Sequence, residues 1–302
     1  MFRIVPLVAF LSLPAWTADG PVREASAPAI VGKAMPGFYN GYLFSAEPSH
    51  VLTLFAPDGH ELFSLPIQGH GNGNIHIKSV AIDSNGTLAV SWVDWPDTGI
   101  DIRDLSGTLL RSVDTGRFAP AHLSFGPDHS LWALGWQYDE ARFSEDKQDY
   151  QTLRKYSIDD KETGGYLPRS LFAAGLPPGN DEYQARRITA TADRVGVEVI
   201  SGKVGTQREW VELDLNGNVL GRWKLDPSNE FPGVIFTSDD HAYVHRYNRD
   251  TKSNQTFRLN RTTSSWDLMS APDEPLYGAD DDKLVFSKYS GNTMLLSWFS
   301  QP

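Results

Sequence analysis

Two histidines stand in a glycine-rich segment that is the most unusual stretch of this chain. Residues 69–76 read Gly-His-Gly-Asn-Gly-Asn-Ile-His and contain His70 and His76. Glycine tolerates a positive φ and lets the backbone approach a ligand closely, and imidazoles bind metals or transfer protons. The alternative is a flexible linker with two exposed histidines. No helix follows the segment, so it does not indicate a nucleotide-binding loop.

Four basic residues form a second candidate group. His122 and Arg187 each precede the first apolar residue of a repeated pattern, with Arg117 upstream of the former and Arg186 beside the latter. If the strands align, some of these side chains reach the central channel. A basic cluster in an acidic protein suits a carboxylate, uronate or phosphate ligand. The alternative is ion pairing with the abundant Asp and Glu.

Aromatic residues follow several predicted strands. Trp95 lies in the loop Asp94-Trp95-Pro96-Asp97, and other aromatics end neighbouring strands at Trp92, Trp136, Tyr247 and Tyr289. Such rings stack on sugars or pack peptide side chains at the mouth of a funnel. The alternative is packing between neighbouring structural units, which Trp95 fits less well than the others.

Catalytic sequence motifs are missing. The chain has no Cys, and it contains no Gly-x-Ser-x-Gly, His-Glu-x-x-His or P-loop pattern. The run Asp280-Asp281-Asp282 predicts a turn rather than a metal site. An enzyme that assembles dispersed residues, with a divalent cation as cofactor and His70, His76 or His122 as base, remains an alternative.

A repeated pair of hairpins must position these residues. The first hairpin is typified by Val80–Trp92, and the second by Ile100–Val113; each consists of two apolar runs split by an Asp-, Asn- or Gly-rich turn. The first hairpin recurs at intervals of 42–46 residues, with one interval of 65 residues. A period in this range is that of a four-stranded propeller blade.

Six such units account for the chain. Gly37–Ala46 supplies a degenerate copy of the first hairpin, and Thr293–Phe299 supplies a single third strand. The segment Ala27–Gly32 is predicted to pair with that strand and close the ring, which removes the free sheet edges. The sequence therefore predicts an all-β, six-bladed β-propeller of four-stranded antiparallel blades. A seven-bladed ring or an open sandwich is the alternative fold.

Topology assigns the loops to two faces. The turns within hairpins share one face, here named the turn face, where Asp83, Asp128, Asp193, Asp239 and Asp281 are expected to form turns. The segments between hairpins share the opposite face, here named the linker face, which usually carries ligands. Two inserts, Gln137–Gln151 and Arg169–Arg186, explain the long interval. The apolar part of the second, Leu171–Pro178, could cover the channel or meet a partner.

The pattern over Val80–Leu110 resembles the NHL-repeat class of six-bladed propellers, which is related to the SMP-30/gluconolactonase-like, or TolB-like, group. The matching positions are Val80-Ala81-Ile82-Asp83, Gly86, Leu88, Val90, Ile102, Leu105 and Gly107, and again Asp214, Leu215 and Gly217. This resemblance implies a propeller among lactonases, lyases, sugar- or peptide-binding modules and interaction platforms. Lactonase-like members hold a divalent metal with Glu, Asn and Asp side chains, a set that does not map onto this sequence.

Residues 1–20 read as an export signal, with Arg3 before the apolar stretch Ile4–Leu13. Small residues at Ala15-Trp16-Thr17 and at Ala25-Ser26-Ala27 offer two cleavage sites. We expect a secreted or periplasmic protein in which residues 21–302 form one propeller domain. No other stretch is long and apolar enough to cross a membrane.

The net charge of −11 argues against a nucleic-acid partner. We therefore expect a monomeric binding protein for a small molecule or for a protein or peptide, with its site at the channel mouth on the linker face. The alternatives are a metal-dependent lactonase, another hydrolase or a lyase of similar fold, and a scaffold for other exported proteins.

Overall fold

The chain folds as the predicted six-bladed β-propeller. The structure is a computed structural model that describes residues 20–28, 37–46, 50–69, 73–139, 144–157, 159, 161–175, 177, 188–203, 207–225, 233–291 and 293–301. Within these ranges the regular structure is almost all strand, with one turn of 3₁₀ helix over Arg169–Leu171. No helix in this part of the chain is long and apolar enough to cross a membrane.

Every blade is an antiparallel sheet of four strands, and blade 3 carries a fifth short one. Blade 1 contains β2 (Gly37–Tyr39), β3 (Tyr42–Ala46), β4 (Val51–Phe55) and β5 (Glu61–Pro66). Blade 2 contains β6 (His76–Ile82), β7 (Leu88–Asp94), β8 (Asp97–Arg103) and β9 (Leu109–Asp114). Blade 3 contains β10 (Phe118–Phe125), β11 (Leu131–Asp139), β12 (Ser144–Glu145), β13 (Gln151–Tyr156) and β14 (Glu162–Pro168).

The remaining three blades repeat the same order. Blade 4 contains β15 (Ile188–Ala190), β16 (Arg194–Ser201), β17 (Gln207–Asp214) and β18 (Val219–Lys224). Blade 5 contains β19 (Ile235–Phe236), β20 (Ala242–Asn248), β21 (Ser253–Asn260) and β22 (Ser265–Leu268). Blade 6 contains β23 (Leu276–Asp280), β24 (Lys283–Ser290), β25 (Thr293–Phe299) and β1 (Arg23–Pro28).

An N-terminal strand closes the ring, but its bounds differ from the prediction. Strand β1 covers Arg23–Pro28 rather than Ala27–Gly32, and it runs antiparallel to the predicted partner, from Arg23 opposite Trp298 to Pro28 opposite Thr293. The prediction followed apolar character, which an outermost strand does not need because its backbone supplies the hydrogen bonds. The Arg23 guanidinium instead covers the Trp298 ring at 4.5 Å.

The turn face confirms the reading of several aspartates as turn formers. The Asp83 carboxylate accepts the Ser84 backbone N–H at 2.7 Å, and Asp128 accepts that of Ser130 at 3.2 Å. The run of three aspartates is the hairpin between β23 and β24, in which Asp281 has a φ of 57°. Asp tolerates this left-handed region better than most residues do.

A buried charged group joins blades 4 and 5. The Glu212 side chain of β17 is completely buried, and Arg261 of blade 5 donates to its two oxygens at 2.7 and 2.9 Å. Arg194 and the Trp210 indole donate to the same carboxylate at 2.9 and 2.8 Å. A buried carboxylate is tolerated only when it is paired and hydrogen-bonded, so this group fixes how the two blades meet.

The centre of the ring is also tied together. The Tyr39 hydroxyl of blade 1 lies 2.8 Å from the Ser124 hydroxyl of blade 3, and both groups are buried. The Ser124 oxygen in turn accepts the Ala190 N–H of blade 4 at 2.9 Å. This chain of hydrogen bonds crosses the hub and joins three inner strands.

Candidate functional site

A groove opens on the linker face at the end of blade 2, where that blade meets blade 3. Its volume is about 460 Å³, and it is here named the seam groove. Blade 2 contributes part of β7, the start of β8 and the end of β9, whereas blade 3 contributes part of β11 and the residue just before β10. Its lining includes Trp92, Asp97, Thr98, Asp114, Arg117 and Tyr138.

Two carboxylates give the seam groove its hydrogen-bond acceptors. Asp97 is half-buried at the start of β8, and within the described part of the chain no side chain is hydrogen-bonded to it. One Asp114 oxygen, Oδ1, accepts the Gly116 N–H at 2.8 Å, which orients the carboxylate at the end of β9. The groove therefore presents oriented carboxylate oxygens that can accept hydrogen bonds from a ligand.

Thr98 fixes the wall that holds these groups. Its hydroxyl lies 2.9 Å from that of Thr115 and 2.9 Å from the Phe118 carbonyl oxygen, to which it donates. The start of β8 is thereby tied to the start of β10, across the boundary between blades 2 and 3. The lining of the seam groove consequently rests on paired strands rather than on a free loop.

Arg117 borders the seam groove, but its charge is already paired. Its guanidinium donates to Asp146 at 2.9 Å, and the Gln137 amide donates to the same Asp146 oxygen at 3.0 Å. The backbone N–H of Gln148, followed by the Gln137 amide, holds the pKa of Asp146 below its ordinary value. The alternative interpretation of this residue, ion pairing with an acid, therefore describes the geometry of Arg117.

Trp95 packs against blade 3 while remaining partly exposed. Its ring centroid lies 4.8 Å from that of Tyr138, in an edge-on arrangement, and 5.7 Å from that of Trp136. The Tyr138 hydroxyl donates to the Pro96 carbonyl, and the Trp95–Pro96 peptide is cis. These contacts place the Trp95 loop beside the seam groove and join it to blade 3.

Ion pairs hold the described part of the charged insert after β11. Arg169 pairs with Glu145 of β12, and the Tyr150 hydroxyl donates to the same carboxylate at 2.8 Å. Burial, followed by the hydrogen bond to Glu145, raises the pKa of Tyr150 well above its ordinary value. Together with Arg117, these contacts hold the described part of the insert against the linker face.

The glycine-rich segment is held by an aspartate to which the sequence analysis assigned no role. One oxygen of the buried Asp94 carboxylate accepts the N–H groups of Gly73 and Asn74, both at 2.9 Å. A Cβ atom at residue 69 would lie 2.6 Å from the same carboxylate, so glycine is needed there. His76 begins β6 and is half-buried, whereas His70 lies outside the described residues.

His122 lies in β10 and is 3 % exposed. A bulge precedes it, and strand alternation puts it on the same side of β10 as Ser124. The Ser124 hydroxyl accepts a hydrogen bond from the Ala190 N–H of blade 4. Arg186 and Arg187 lie outside the described residues. The predicted cluster of Arg117 with His122, Arg186 and Arg187 stays a prediction, and so does a ligand-binding role for His70 and His76.

The sequence analysis missed Asp97 and Asp114 as groove residues. Asp97 belongs to the loop that drew attention to Trp95, so an acid beside an exposed ring was the available signal. Asp114 ends an outer strand, and nothing in its local pattern distinguishes it from other polar strand ends. Among the described residues, no group of three or more His, Cys, Asp or Glu side chains could hold a metal ion.

Comparison with known proteins supports the fold alone. A Bacteroides caccae protein of unknown function shares 13 % identity over 83 % of each chain, with a TM-score of 0.51. A Bacteroides fragilis protein provisionally named as exported shares 10 % identity over 94 % of this chain and 98 % of its own, with a TM-score of 0.51. The hydrazine synthase of Kuenenia stuttgartiensis shares 11 % identity over 93 % of this chain and 76 % of its own, with a TM-score of 0.52.

No family model and no curated protein matches the chain. The six-bladed fold is therefore shown, whereas membership of the NHL-repeat or gluconolactonase-like class stays a prediction. At these levels of identity, likeness of fold carries no activity from one protein to another.

Proposed function

We propose that this protein is an exported binding protein whose seam groove holds a neutral, hydroxyl-rich small molecule such as a saccharide. The observation that carries the proposal is the pair of groove carboxylates, Asp97 and Asp114, beside the partly exposed ring of Trp95. Carboxylates accept hydrogen bonds from sugar hydroxyls, and an aromatic ring packs against the apolar face of a sugar. The resemblance to propellers that include sugar-binding modules supports the same class of ligand.

The charge of the seam groove favours a neutral ligand over an anion. Arg117 is the cation at its border, and Asp146 neutralises it at 2.9 Å. The two groove carboxylates would repel a uronate or a phosphate at short range. The expectation of an anionic ligand is therefore replaced here by that of an uncharged one.

The other candidate functions receive less support from the described residues. A metal-dependent hydrolase or lyase needs side chains that converge on a metal ion, and the described residues offer no such group. Such an enzyme would have to use residues outside the described ranges, such as His70. A scaffold was expected to expose an apolar patch around Leu171. Leu171 is exposed, but the adjacent Phe172 is buried in the core.

A binding screen tests the proposal. The protein without its predicted signal is titrated with neutral oligosaccharides, uronate oligosaccharides and peptides, and binding is followed by calorimetry and tryptophan fluorescence. We expect a neutral saccharide to bind and to change the fluorescence, since Trp92 and Trp95 adjoin the groove. Asp97→Ala should weaken its binding by about 10-fold, because a charge-assisted hydrogen bond is lost.

Asp250→Ala is the matched control. Asp250 is an exposed acid in the corresponding connection of blade 5, between β20 and β21 on the linker face, and its substitution removes the same charge. It should leave saccharide affinity unchanged. Binding of uronates alone, of peptides alone, or an equal loss in both variants would contradict the assignment of a neutral ligand to the seam groove.

Export can be tested at the N-terminus. Strand β1 begins at Arg23 and completes blade 6, so cleavage after Ala25-Ser26-Ala27 would remove most of it. We therefore expect the secreted or periplasmic protein to begin before Arg23, and N-terminal sequencing of the exported form measures this. A mature chain that begins at Pro28 would contradict the expectation.

A further inference from the structure

A second cavity lies at the opposite end of the hub, on the turn face. Its volume is about 230 Å³, and the ends of the inner strands of all six blades contribute to it. It is here named the hub cup, and its lining includes Tyr39, Phe125, Thr189, Phe236, Asp83 and Asp281. It shares no residue with the seam groove.

The hub cup has aromatic walls. One of its lining residues, Tyr39, is hydrogen-bonded through its hydroxyl to Ser124 across the hub. Phe125 and Phe236 lie on different inner strands and line the cup together with Tyr39. Aromatic faces attract cations through their quadrupole, and the attraction is strongest where water is excluded.

The rim of the hub cup is acidic. Asp83 lines it and is paired with His129, at 2.5 Å from the ring nitrogen. Asp281 also lines it; no described group is hydrogen-bonded to its carboxylate, and Lys283, which does not line the cup, interacts with it electrostatically. None of the residues that line the cup is Lys, Arg or His. A positively charged ligand group would therefore meet no repelling cation at the lining.

A threonine hydroxyl supplies an acceptor for such a group. Thr189 lines the hub cup and is 5 % exposed, and no group in the part of the chain that the structure describes is hydrogen-bonded to its hydroxyl. A hydroxyl without a protein partner can accept a hydrogen bond from a ligand that enters the cup. This observation is independent of the rim charge and suits an N–H donor.

We propose that the hub cup binds a primary ammonium group, as carried by a small alkylamine. Its N–H groups donate to the Thr189 hydroxyl and the Asp281 carboxylate, while the adjoining methylene groups lie against Phe125 and Phe236. A divalent metal ion fits less well, because no group of three or more His, Cys, Asp or Glu side chains among the described residues could hold one. The site is separate from the seam groove, so it stands whether or not that groove binds a saccharide.

Titration with n-butylammonium tests the proposal, with n-butanol as a neutral probe of similar length and tetramethylammonium as a cation without N–H donors. Ligand-observed NMR gives the affinities. We expect n-butylammonium to bind at least about 5-fold more tightly than either control probe, because only it combines charge with N–H donors. Equal binding of n-butanol would overturn the role of charge, and equal binding of tetramethylammonium would overturn the role of the hydroxyl.

Two variants locate the site. Thr189→Val keeps the shape and removes an unpartnered hydroxyl, so the fold is retained while n-butylammonium affinity falls by about 3- to 10-fold. Asp281→Asn should have a similar effect, because Asn keeps the left-handed backbone conformation and loses the charge. Asp282→Asn is the matched control, since Asp282 pairs with the partly exposed Lys283 and does not line the cup.

The outcomes separate this proposal from a general attraction of cations to an acidic protein. Loss of affinity in Thr189→Val and Asp281→Asn, with Asp282→Asn unchanged, supports the hub cup. Equal losses at Asp281 and Asp282, or an unchanged affinity in Thr189→Val with its melting temperature retained, overturns it. Saturating saccharide should leave n-butylammonium affinity unchanged, because the two cavities open on opposite faces.

Discussion

The seam between blades 4 and 5 and the seam between blades 2 and 3 are held by different interactions. The first is locked by Glu212, whose buried carboxylate receives hydrogen bonds from Arg194 and Arg261. The second is held at the linker face by the rings of Trp95, Trp136 and Tyr138, and it leaves the seam groove open. In the first seam the charged groups bind one another, so none is left to bind a ligand. In the second seam the contact is made by rings, and the carboxylates of Asp97 and Asp114 beside it keep oxygens that can bind a ligand.

The largest effect is expected at the charged seam. Glu212→Gln leaves two arginines without their full counter-charge, so the free energy of unfolding should fall by about 3–5 kcal/mol. Urea unfolding measures it. Glu209→Gln is the control, because Glu209 pairs with the partly exposed Arg222 and should cost less than about 1 kcal/mol. Saccharide affinity at low temperature should be unchanged in both variants. Similar losses of stability would show that the buried Glu212 group holds its seam no more firmly than a partly exposed pair.

The seam between blades 5 and 6 offers a third case, in which the buried group is a titrating base. Burial lowers the pKa of His245 from 6.5 to about 4. The unfolded chain therefore binds a proton at higher pH than the folded chain, and stability falls as the pH drops from about 6.5 to about 4. This residue should contribute about 2 kcal/mol of lost stability between pH 7 and pH 5.

His245→Asn removes that dependence. The Asn side-chain oxygen can accept the Leu276 N–H, as the imidazole Nδ1 does at 3.4 Å. Denaturant unfolding of the wild type and the variant at pH 7 and pH 5 gives the two slopes. An unaltered slope in the variant would show that the acid sensitivity arises elsewhere.

The aromatic seam should separate affinity from stability. Trp95→Ala removes the edge-on contact with Tyr138 from a partly exposed residue, so we expect a loss of about 1–2 kcal/mol in the free energy of unfolding. The same change should weaken saccharide binding by about 10-fold or more, because it removes the ring beside the groove. A loss of stability as large as that of Glu212→Gln, without a loss of affinity, would assign Trp95 to packing alone.

The smallest effect is expected at Arg117. Its pair with Asp146 is partly exposed, so Arg117→Gln should change the global free energy of unfolding by less than about 1 kcal/mol. Faster proteolysis within the charged insert should nevertheless follow, since Arg117 ties that insert to the linker face. Limited digestion with mass spectrometry measures the cleavage rate. A global loss above about 2 kcal/mol would show that the pair supports the blade itself.

The fold could be predicted because each blade repeats the same alternation of strand and turn. Val80–Trp92 carries enough of the pattern to define its hairpin, and the other blades repeat it at a regular spacing. The closing strand was misplaced because Arg23–Pro28 is held by backbone pairing, which leaves little trace in side-chain character. The partner strand was predicted correctly, since Thr293–Phe299 was the third strand of its blade and no later segment could supply the fourth.

The site was less predictable, because it depends on which side chains from separate strands meet. Trp95 was recognised from an unusual loop, and Arg117 from its charge. The pairing of Arg117 with Asp146 depends on how the insert folds back, which neither residue reveals. Asp97 and Thr189 acquire their importance from missing partners, and a missing partner is visible only in three dimensions.

The pairing of β1 with β25 sets the order in which the molecule can fold. Among the described strands, β1 leaves the ribosome first and must wait for β25, which leaves last, because no described segment between them completes blade 6. Until then the nascent chain has an open ring, with the seam faces of its end blades uncovered, and such long-range closure is slow. The circle of six blades is therefore completed only after β25 has been synthesised.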